Sequence, residues 1–457
     1  MAEGMMGISF ETDIMTDARL EPGASTLVEE LKKLHKPVLR FGGQAVDRRF
    51  FWTSTDEPLP DWTLVPAFKG DVRPVQKVTP ADLQRIARLA DAADARILLT
   101  ADLGHYDPER AGDLAKNAKT IFGDRLLGIT VGNEPNGYHF EGRPYQTLRP
   151  AGWDTNKFLT EYKAYSAAIT KNAPGVKIVG PGAYAQNWLK AFIENDDPAV
   201  GALSYHHYPM SDCGTADIAS PTIDRVMSRE RADLNREFIS NIAATAKPAN
   251  LPLWLTEGGL SACSGSNETT RTHASALWTV GYALTAAEAG VTQMDIHGAL
   301  DACKGGPPAS PVCDTGAYKK PNGVIGSQAN YYGMLLVNAL QPGEFRNVEQ
   351  TGNPNVYTHA INHADGSMSV VVINQNDPKT TAQAPVTIKL PAKVGTGVMS
   401  QLTAPTFDAQ DSSRIDGRED AGVPVDSRAK IPGFVAGKDA VTVPLTSGTV
   451  TVLTFTF

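Results

Sequence analysis

Two stretches place carboxylates where chemistry could happen. In Leu126 to Tyr138, LLGITVGNEPNGY, an apolar, β-branched run stops at Gly132, and Asn133, Glu134, Pro135 and Asn136 follow at once. Such a run reads as a buried strand delivering a carboxylate and two amides at its carboxyl end. Pro135 cannot extend the strand. The second stretch is LPLWLTEGG, where a strand ends on Glu257, and Gly258 and Gly259 supply a bend that leaves room for a ligand. Asn, Pro and Gly are also ordinary turn formers, so either glutamate alone is equally well explained as part of a turn. As a pair they suit retaining glycoside hydrolysis, in which carboxyl groups about 5–5.5 Å apart protonate the leaving oxygen and attack the anomeric carbon.

Positioning them requires strands that run in parallel. From Gly7 to about Leu340 eight strand-like runs alternate with helical patterns: Gly7 to Glu11, Pro37 to Phe41, Ala95 to Ala101, Leu126 to Asn133, Val176 to Gly180, Ala202 to His206, Pro252 to Glu257 and Val291 to His297. Several are too apolar to have a wet face, as buried parallel strands should be. The expected fold is α/β, a (β/α)8 barrel over residues 5–340, with a doubly wound open sheet as the alternative. Glu134 then ends strand four and Glu257 strand seven, three places apart around one rim.

Helix signals fit this order. Thr26 with Glu29 predicts a capping box, and Thr79 with Pro80 an N-cap and first-turn proline. Long helices are expected within Ser220 to Ala246 and Asn267 to Ala289. GPGAYA, Gly180 to Ala185, reads as the turn after strand five. After Pro342, SMSVVVIN, APVTIKL, AVTVPL and GTVTVLTFTF alternate in twos, which predicts an antiparallel β-sandwich over 341–457, to which residues 1–6 could add.

The chain has 457 residues, 42% apolar and 20% charged, with formal charge −8. These values describe a globular protein and disfavour one built to hold nucleic acid. No apolar run is long enough to span a membrane. Cys213, Cys263, Cys303 and Cys313 lack zinc spacing. They read as two disulfides, Cys303 with Cys313 across a Gly/Pro-rich loop and Cys213 with Cys263, or else as buried free thiols. No metal site and no cofactor are expected. His206 and His207 are adjacent on a strand and cannot chelate one ion together. A Gly-x-Ser-x-Gly elbow and a phosphate loop are both absent.

Asn133 and Glu134 on strand four, with Glu257 on strand seven, resemble the retaining (β/α)8 glycosidases in which Asn precedes the acid/base. LRFGG (Leu39 to Gly43), GNEPN (Gly132 to Asn136), the HHY of His206 to Tyr208 and the opening GISFE resemble glycoside hydrolase family 79, the heparanases and β-glucuronidases. The resemblance covers nearly the whole chain. It implies that Glu134 is the acid/base and Glu257 the nucleophile, and that Asn133 bonds the 2-hydroxyl. It also implies that Glu11 and Gln44 hold sugar hydroxyls and that Tyr208 orients the nucleophile. The sequence departs from the family where a Tyr followed by glycines should lie five residues past the nucleophile; here the stretch is Ala262-Cys263-Ser264-Gly265. Backbone N–H groups at Ser264 and Gly265 could bind the uronic carboxylate instead.

His297 ends strand eight and reads as a polar contact in the sugar pocket, against the alternative of a core histidine. Arg48, Arg49, Arg143, Arg271, Lys304, Lys319 and Lys320 all follow barrel strands. Some could form a basic rim for a sulfated or carboxylated polysaccharide, or be ordinary solvated charges. The expected partner is a glucuronic-acid-containing polysaccharide, heparan sulfate or a related glycosaminoglycan, cut internally by heparanase-like endo-β-glucuronidase action, with exo-β-glucuronidase action or a neutral-sugar-specific retaining β-glycosidase as the enzyme alternatives. A silent polysaccharide-binding protein on the same scaffold is the alternative from another class. A secreted or periplasmic monomer is expected.

Overall fold

The computed structural model describes residues 1–212, 219–263, 267–301, 303, 310–315, 323–352, 355–379, 384–418 and 429–457. Eight parallel strands close into a barrel: β1 Met6–Glu11, β2 Val38–Gly42, β3 Arg96–Ala101, β4 Leu126–Val131, β5 Ile178–Ala183, β6 Val200–His207, β7 Leu253–Gly258 and β8 Val291–Gly298. Each pairs with its neighbours in chain order, and β1 closes on β8. The open doubly wound sheet is thereby excluded.

One helix of seven residues or more follows each strand: α1 Leu27–Lys33, α2 Pro80–Ala93, α3 Pro108–Phe122, α4 Thr155–Asn172, α5 Gln186–Glu194, α6 Arg229–Ala246, α7 His273–Glu288 and α8 Ala329–Asn338. Thr79 caps α2 as expected, with Asp82 completing the box and Pro80 in the first turn. The box expected at Thr26 does not form. Thr26 Oγ1 instead accepts the Ile325 N–H at 2.9 Å, and Ser25 Oγ accepts from Leu27 N–H. The two long helical stretches are each interrupted. Ser228 caps α6 separately from the short helix Ile223–Val226, and Thr272 separates α7 from Asn267–Thr270. Gly180 to Ala183, expected as a turn, belong to β5, where a register shift between Pro181 and Ala183 bends the strand.

The C-terminal region carries β9 Gly343–Arg346, β10 Val356–His363, β11 Met368–Asn374, β12 Ala384–Lys389, β13 Thr396–Thr403, β14 Arg414–Ile415, β15 Ala429–Lys430, β16 Ala440–Leu445 and β17 Thr449–Thr456. The large antiparallel sheet runs in the order β9-β10-β11-β17-β13-β14, with β15 also on β13, while β12 and β16 form a separate ribbon. Alternation explains the layering. Val370 and Val372 of β11 join Leu453, Phe455 and the ribbon's Val441 and Val443 in one core. Val371 and Ile373 face the other way and join the barrel's core, together with Leu277 of α7 and Leu336 of α8. Almost every side of α7 is buried, as a helix apolar all round requires.

Cys303 and Cys313 form a disulfide, and Cys263 is also disulfide-bonded. Cys213, like Ser264, Gly265, Lys304, Lys319 and Lys320, lies outside the described residues.

Candidate active site

Barrel register brings the site together. Ser9 of β1 is paired with Arg40 of β2 on one side and with His297 of β8 on the other, so the three side chains share one interior layer. Ser9 Oγ lies 2.8 Å from Arg40 Nη1 and 3.0 Å from His297 Nδ1. A register shift between Leu255 and Glu257 in β7 sets Glu257 beside His206 of β6. Shifts of this kind re-aim a side chain at a barrel rim.

Glu257 is held at both oxygens. Arg40 Nη1 donates to Oε2 at 2.5 Å, and the Tyr208 hydroxyl donates to Oε1 at 3.0 Å. Burial by itself would raise its pKa, but the charges of His297, His206 and Arg40 outweigh burial and hold the carboxyl far below the usual range. The group stays ionised. Tyr208 is pushed the other way, by burial and by the two nearby glutamates, and keeps its proton.

Glu134 lies just past β4 in the left-handed region, with φ 50° and ψ 55°. A residue with a side chain adopts that conformation at some cost, and such sites cluster where function requires them. Its N–H donates to Gly182 O at 2.9 Å, and its Oε1 lies 3.1 Å from His206 Nδ1. One carboxylate oxygen of Glu134, one of Glu257 and a ring nitrogen of His206 all fall within 4.8 Å of one another. That spacing lies closer to the about 5–5.5 Å of a retaining pair than to the about 6.5–9.5 Å of an inverting pair, which leaves room for a water. The same three groups could geometrically ligate a metal ion. Arg40, however, puts a permanent positive charge on Glu257, which opposes a cation there.

The other expected residues converge on the same place. Asn133 Oδ1 accepts from Arg40 Nη2 at 2.6 Å, and its N–H is held by Asp47 Oδ2 at 2.8 Å. Its Nδ2 is buried without a protein partner among the described residues, as are Gln44 Oε1 and His206 Nε2. Hydroxyls of a sugar would satisfy such atoms. Glu11 Oε2 accepts the Ala45 N–H at 2.6 Å, and Glu11 Oε1 lies 3.5 Å from His297 Nε2. Burial would lower the pKa of His297, but Glu257 and Glu11 reverse this and raise it. Gly43, in the LRFGG stretch, has φ +70°, and a Cβ there would lie 2.4 Å from the Glu11 carboxyl carbon.

Sequence reasoning missed Arg40, His206, Ser9 and Asp47. Asp47 is 1% exposed and gathers the backbone N–H groups of Leu103, Gly104 and Asn133, tying the loop after β2 to the ends of β3 and β4. The available signal was alternation: Arg40, two residues before Gly42, is a charge inside an apolar strand. The expected basic rim is not found at Arg48, Arg49 or Arg271, which are all buried. Arg48 donates to Pro66 O and Gln146 O, Arg49 pairs with Asp13 and Asp71, and Arg271 donates to Gln328. Loop carboxylates and carbonyls close by turned these charges inward.

No family model matches the chain, and no curated protein matches its sequence. Solved structures do match in shape. A 4-O-α-L-rhamnosyl-β-D-glucuronidase from Fusarium oxysporum 12S superposes with a TM-score of 0.72 at 17% identity, covering 98% of this chain and 95% of that one. A family 51 arabinofuranosidase from Xanthomonas axonopodis pv. citri gives 0.65 at 15% identity, covering 94% and 89%. A bifunctional glucanase-xylanase from a metagenome library gives 0.61 at 13% identity, covering 100% and 96%. The chain therefore has the fold of these glycoside hydrolases, a closed (β/α)8 barrel followed by antiparallel sheets.

Proposed function

We propose that this protein is a retaining glycoside hydrolase acting on β-linked glucuronic acid. The observation that carries the chemistry is the approach of Glu134 and Glu257 within 4.8 Å, at the ends of strands that share one barrel rim. Glu257 attacks the anomeric carbon through one oxygen while Glu134 gives its proton to the departing glycosidic oxygen. A glycosyl ester forms on Glu257 and the carbon–oxygen bond to the leaving group breaks. Glu134, now a carboxylate, takes a proton from water. The water oxygen attacks the same carbon, Glu257 is released as a carboxylate and Glu134 is protonated again. Arg40 and Tyr208 keep Glu257 ionised and aimed, and Asn133 Nδ2 is the free donor for the 2-hydroxyl.

Glucuronide specificity rests on the resemblance of LRFGG, GNEPN and HHY to the family 79 motifs, and is supported by the shape shared with a glucuronidase. The polysaccharide in that reading is heparan sulfate or a related glycosaminoglycan. The burial of Arg48, Arg49 and Arg271 leaves the sulfated form with less support than the uronic acid itself. An aryl β-glucuronide should be hydrolysed with retention, the first product detected by proton NMR being the β-anomer. Glu257→Ala should abolish turnover. Glu134→Ala should cost far more on substrates with poor leaving groups than on aryl glucuronides, because only the former need the proton. An aryl glucuronide left intact while an aryl glucoside or xyloside is cut would reject the uronate. Sizing products from heparan sulfate separates internal cleavage from end trimming.

A further inference from the structure

A second cavity, of about 370 Å3, opens at the carboxyl end of β3, between the loop after β2 and the first turns of α3. It shares no lining residue with the site around Glu134 and Glu257. Its volume lies within the range of about 300–1,000 Å3 found for small-molecule sites. Aromatic rings form much of its wall. Trp62 lies flat on the His105 ring, with centroids 3.7 Å apart and planes 6° apart, and meets Phe51 edge-on. Tyr106, which also lines the cavity, is 54% exposed. The loop after β2, which supplies Pro60 and Trp62 to the wall, also leaves Leu59, Leu64 and Phe68 exposed.

The polar part of the wall is paired internally. His105 Nδ1 lies 2.9 Å from Asp102 Oδ2, and Arg110 Nε lies 3.0 Å from Asp107. Arg110 also reaches Glu57 at 3.2 Å, and its guanidinium sits 4.6 Å from the Phe51 ring centre. Asp102, Asp107 and Glu57 stand against the single guanidinium of Arg110, so the wall disfavours an anion and leaves carboxylate oxygens free to accept from hydroxyls. Carboxylate lone pairs and guanidinium N–H groups still outnumber these internal bonds. The exposed Tyr106 ring and the Trp62 face turned away from His105, beside carboxylates with spare lone pairs, suit a ring that has a C–H face and hydroxyl edges.

We propose that this cavity is a second saccharide site, which takes a neutral pyranose unit of a polysaccharide away from the point of cleavage. The inference rests on the carbohydrate reading of the barrel but not on its glucuronide specificity. Being at the end of β3, next to β4, it would raise affinity for long chains through a second contact on one molecule.

The test uses the full chain carrying Glu257→Gln, so that nothing is hydrolysed. Xylohexaose, mannohexaose and N-acetylchitohexaose are titrated by calorimetry and by tryptophan fluorescence. At least one should bind, and adding Trp62→Ala should remove one site per chain or raise its Kd tenfold or more. In the otherwise native enzyme, Trp62→Ala should leave kcat/KM for an aryl glucuronide within twofold. Tyr106→Ala, at an exposed position, repeats the test should Trp62→Ala lower Tm. No binding by any of the three sugars, binding unchanged in both variants, or p-nitrophenol occupying the cavity in their place would each overturn the assignment. An aryl glucuronide left uncut by the native enzyme while a sugar still binds here would remove the glucuronidase reading alone.

Discussion

Arg40 is the residue on which the site's electrostatics turn. It is fully buried and bonds Ser9, Glu257 and Asn133 with one guanidinium. A planar fork reaches these partners from two nitrogens in fixed directions, whereas an ammonium would have to reach all three from one. Arg40→Lys should keep the positive charge and lose part of the fork, giving a kcat/KM loss of tenfold or more with little change in the acid limb of the pH profile. Arg40→Met should remove the charge that helps hold Glu257 ionised. That limb should then move to higher pH by about 1–3 units, the range for losing an opposite charge at close contact. An unmoved limb in the Met variant would show that His206 and His297 suffice. Stability of the Met variant should be measured alongside, because removing one partner of a buried ion pair costs about 3–5 kcal/mol.

At the scale of elements, the loops at the carboxyl ends of the strands hold the site's shape. Gly43 combines a left-handed backbone with a carboxylate packed where a side chain would start. Gly43→Ala should cost about 1–3 kcal/mol in a urea titration. It should also displace Glu11 and lower kcat/KM at least tenfold. Retention of full activity would show that Glu11 does not hold the sugar. The Cys303–Cys313 bridge closes a short segment after β8. Replacing both cysteines with serine should lower stability by about 2–3 kcal/mol, as a loop of this length predicts. Double substitution is preferable to reduction, because Cys263 is disulfide-bonded as well.

At the scale of the molecule, the barrel and the large antiparallel sheet meet through α7, and His273 stands at that contact. Its Nδ1 lies 2.9 Å from Ser413 Oγ and its Nε2 2.9 Å from Gly448 O. Burial lowers its pKa from 6.5 to about 4, so the folded protein keeps it neutral where the unfolded chain would already have bound a proton. The unfolded state therefore takes up more protons between pH 6.5 and about 4. Stability falls as pH drops through that window, by at most about 3 kcal/mol from this group. Tm measured across it should decline less steeply in His273→Gln than in the native chain; equal slopes would assign the acid sensitivity elsewhere. Among the described residues no helix is long and apolar enough to cross a membrane.

The eight strands, and the placing of Asn133, Glu134 and Glu257 at the carboxyl ends of two of them, were legible because their signals are local. An apolar run, a proline that cannot continue it and a glycine bend lie within a dozen residues of each glutamate, and the order of elements then dictates which strand ends share a rim. The residues that act on the glutamates were not legible, because their roles depend on the register of the closed barrel. Arg40 meets Glu257 across 217 positions of sequence, and His206 meets Glu134 across 72. Surface charge was misread for a related reason. Arg48 and Arg49 look like solvent-facing cations until the backbone carbonyls of Pro66 and Gln146 and the carboxylates of Asp13 and Asp71 are folded over them. Sequence by itself determined where each barrel strand runs and which side chains stand at its carboxyl end, since steric and hydrophobic rules act between near neighbours. Tertiary structure alone decided which distant charges neutralise one another, since Coulombic pairing depends on distance in space and on burial, and the order of residues encodes neither directly.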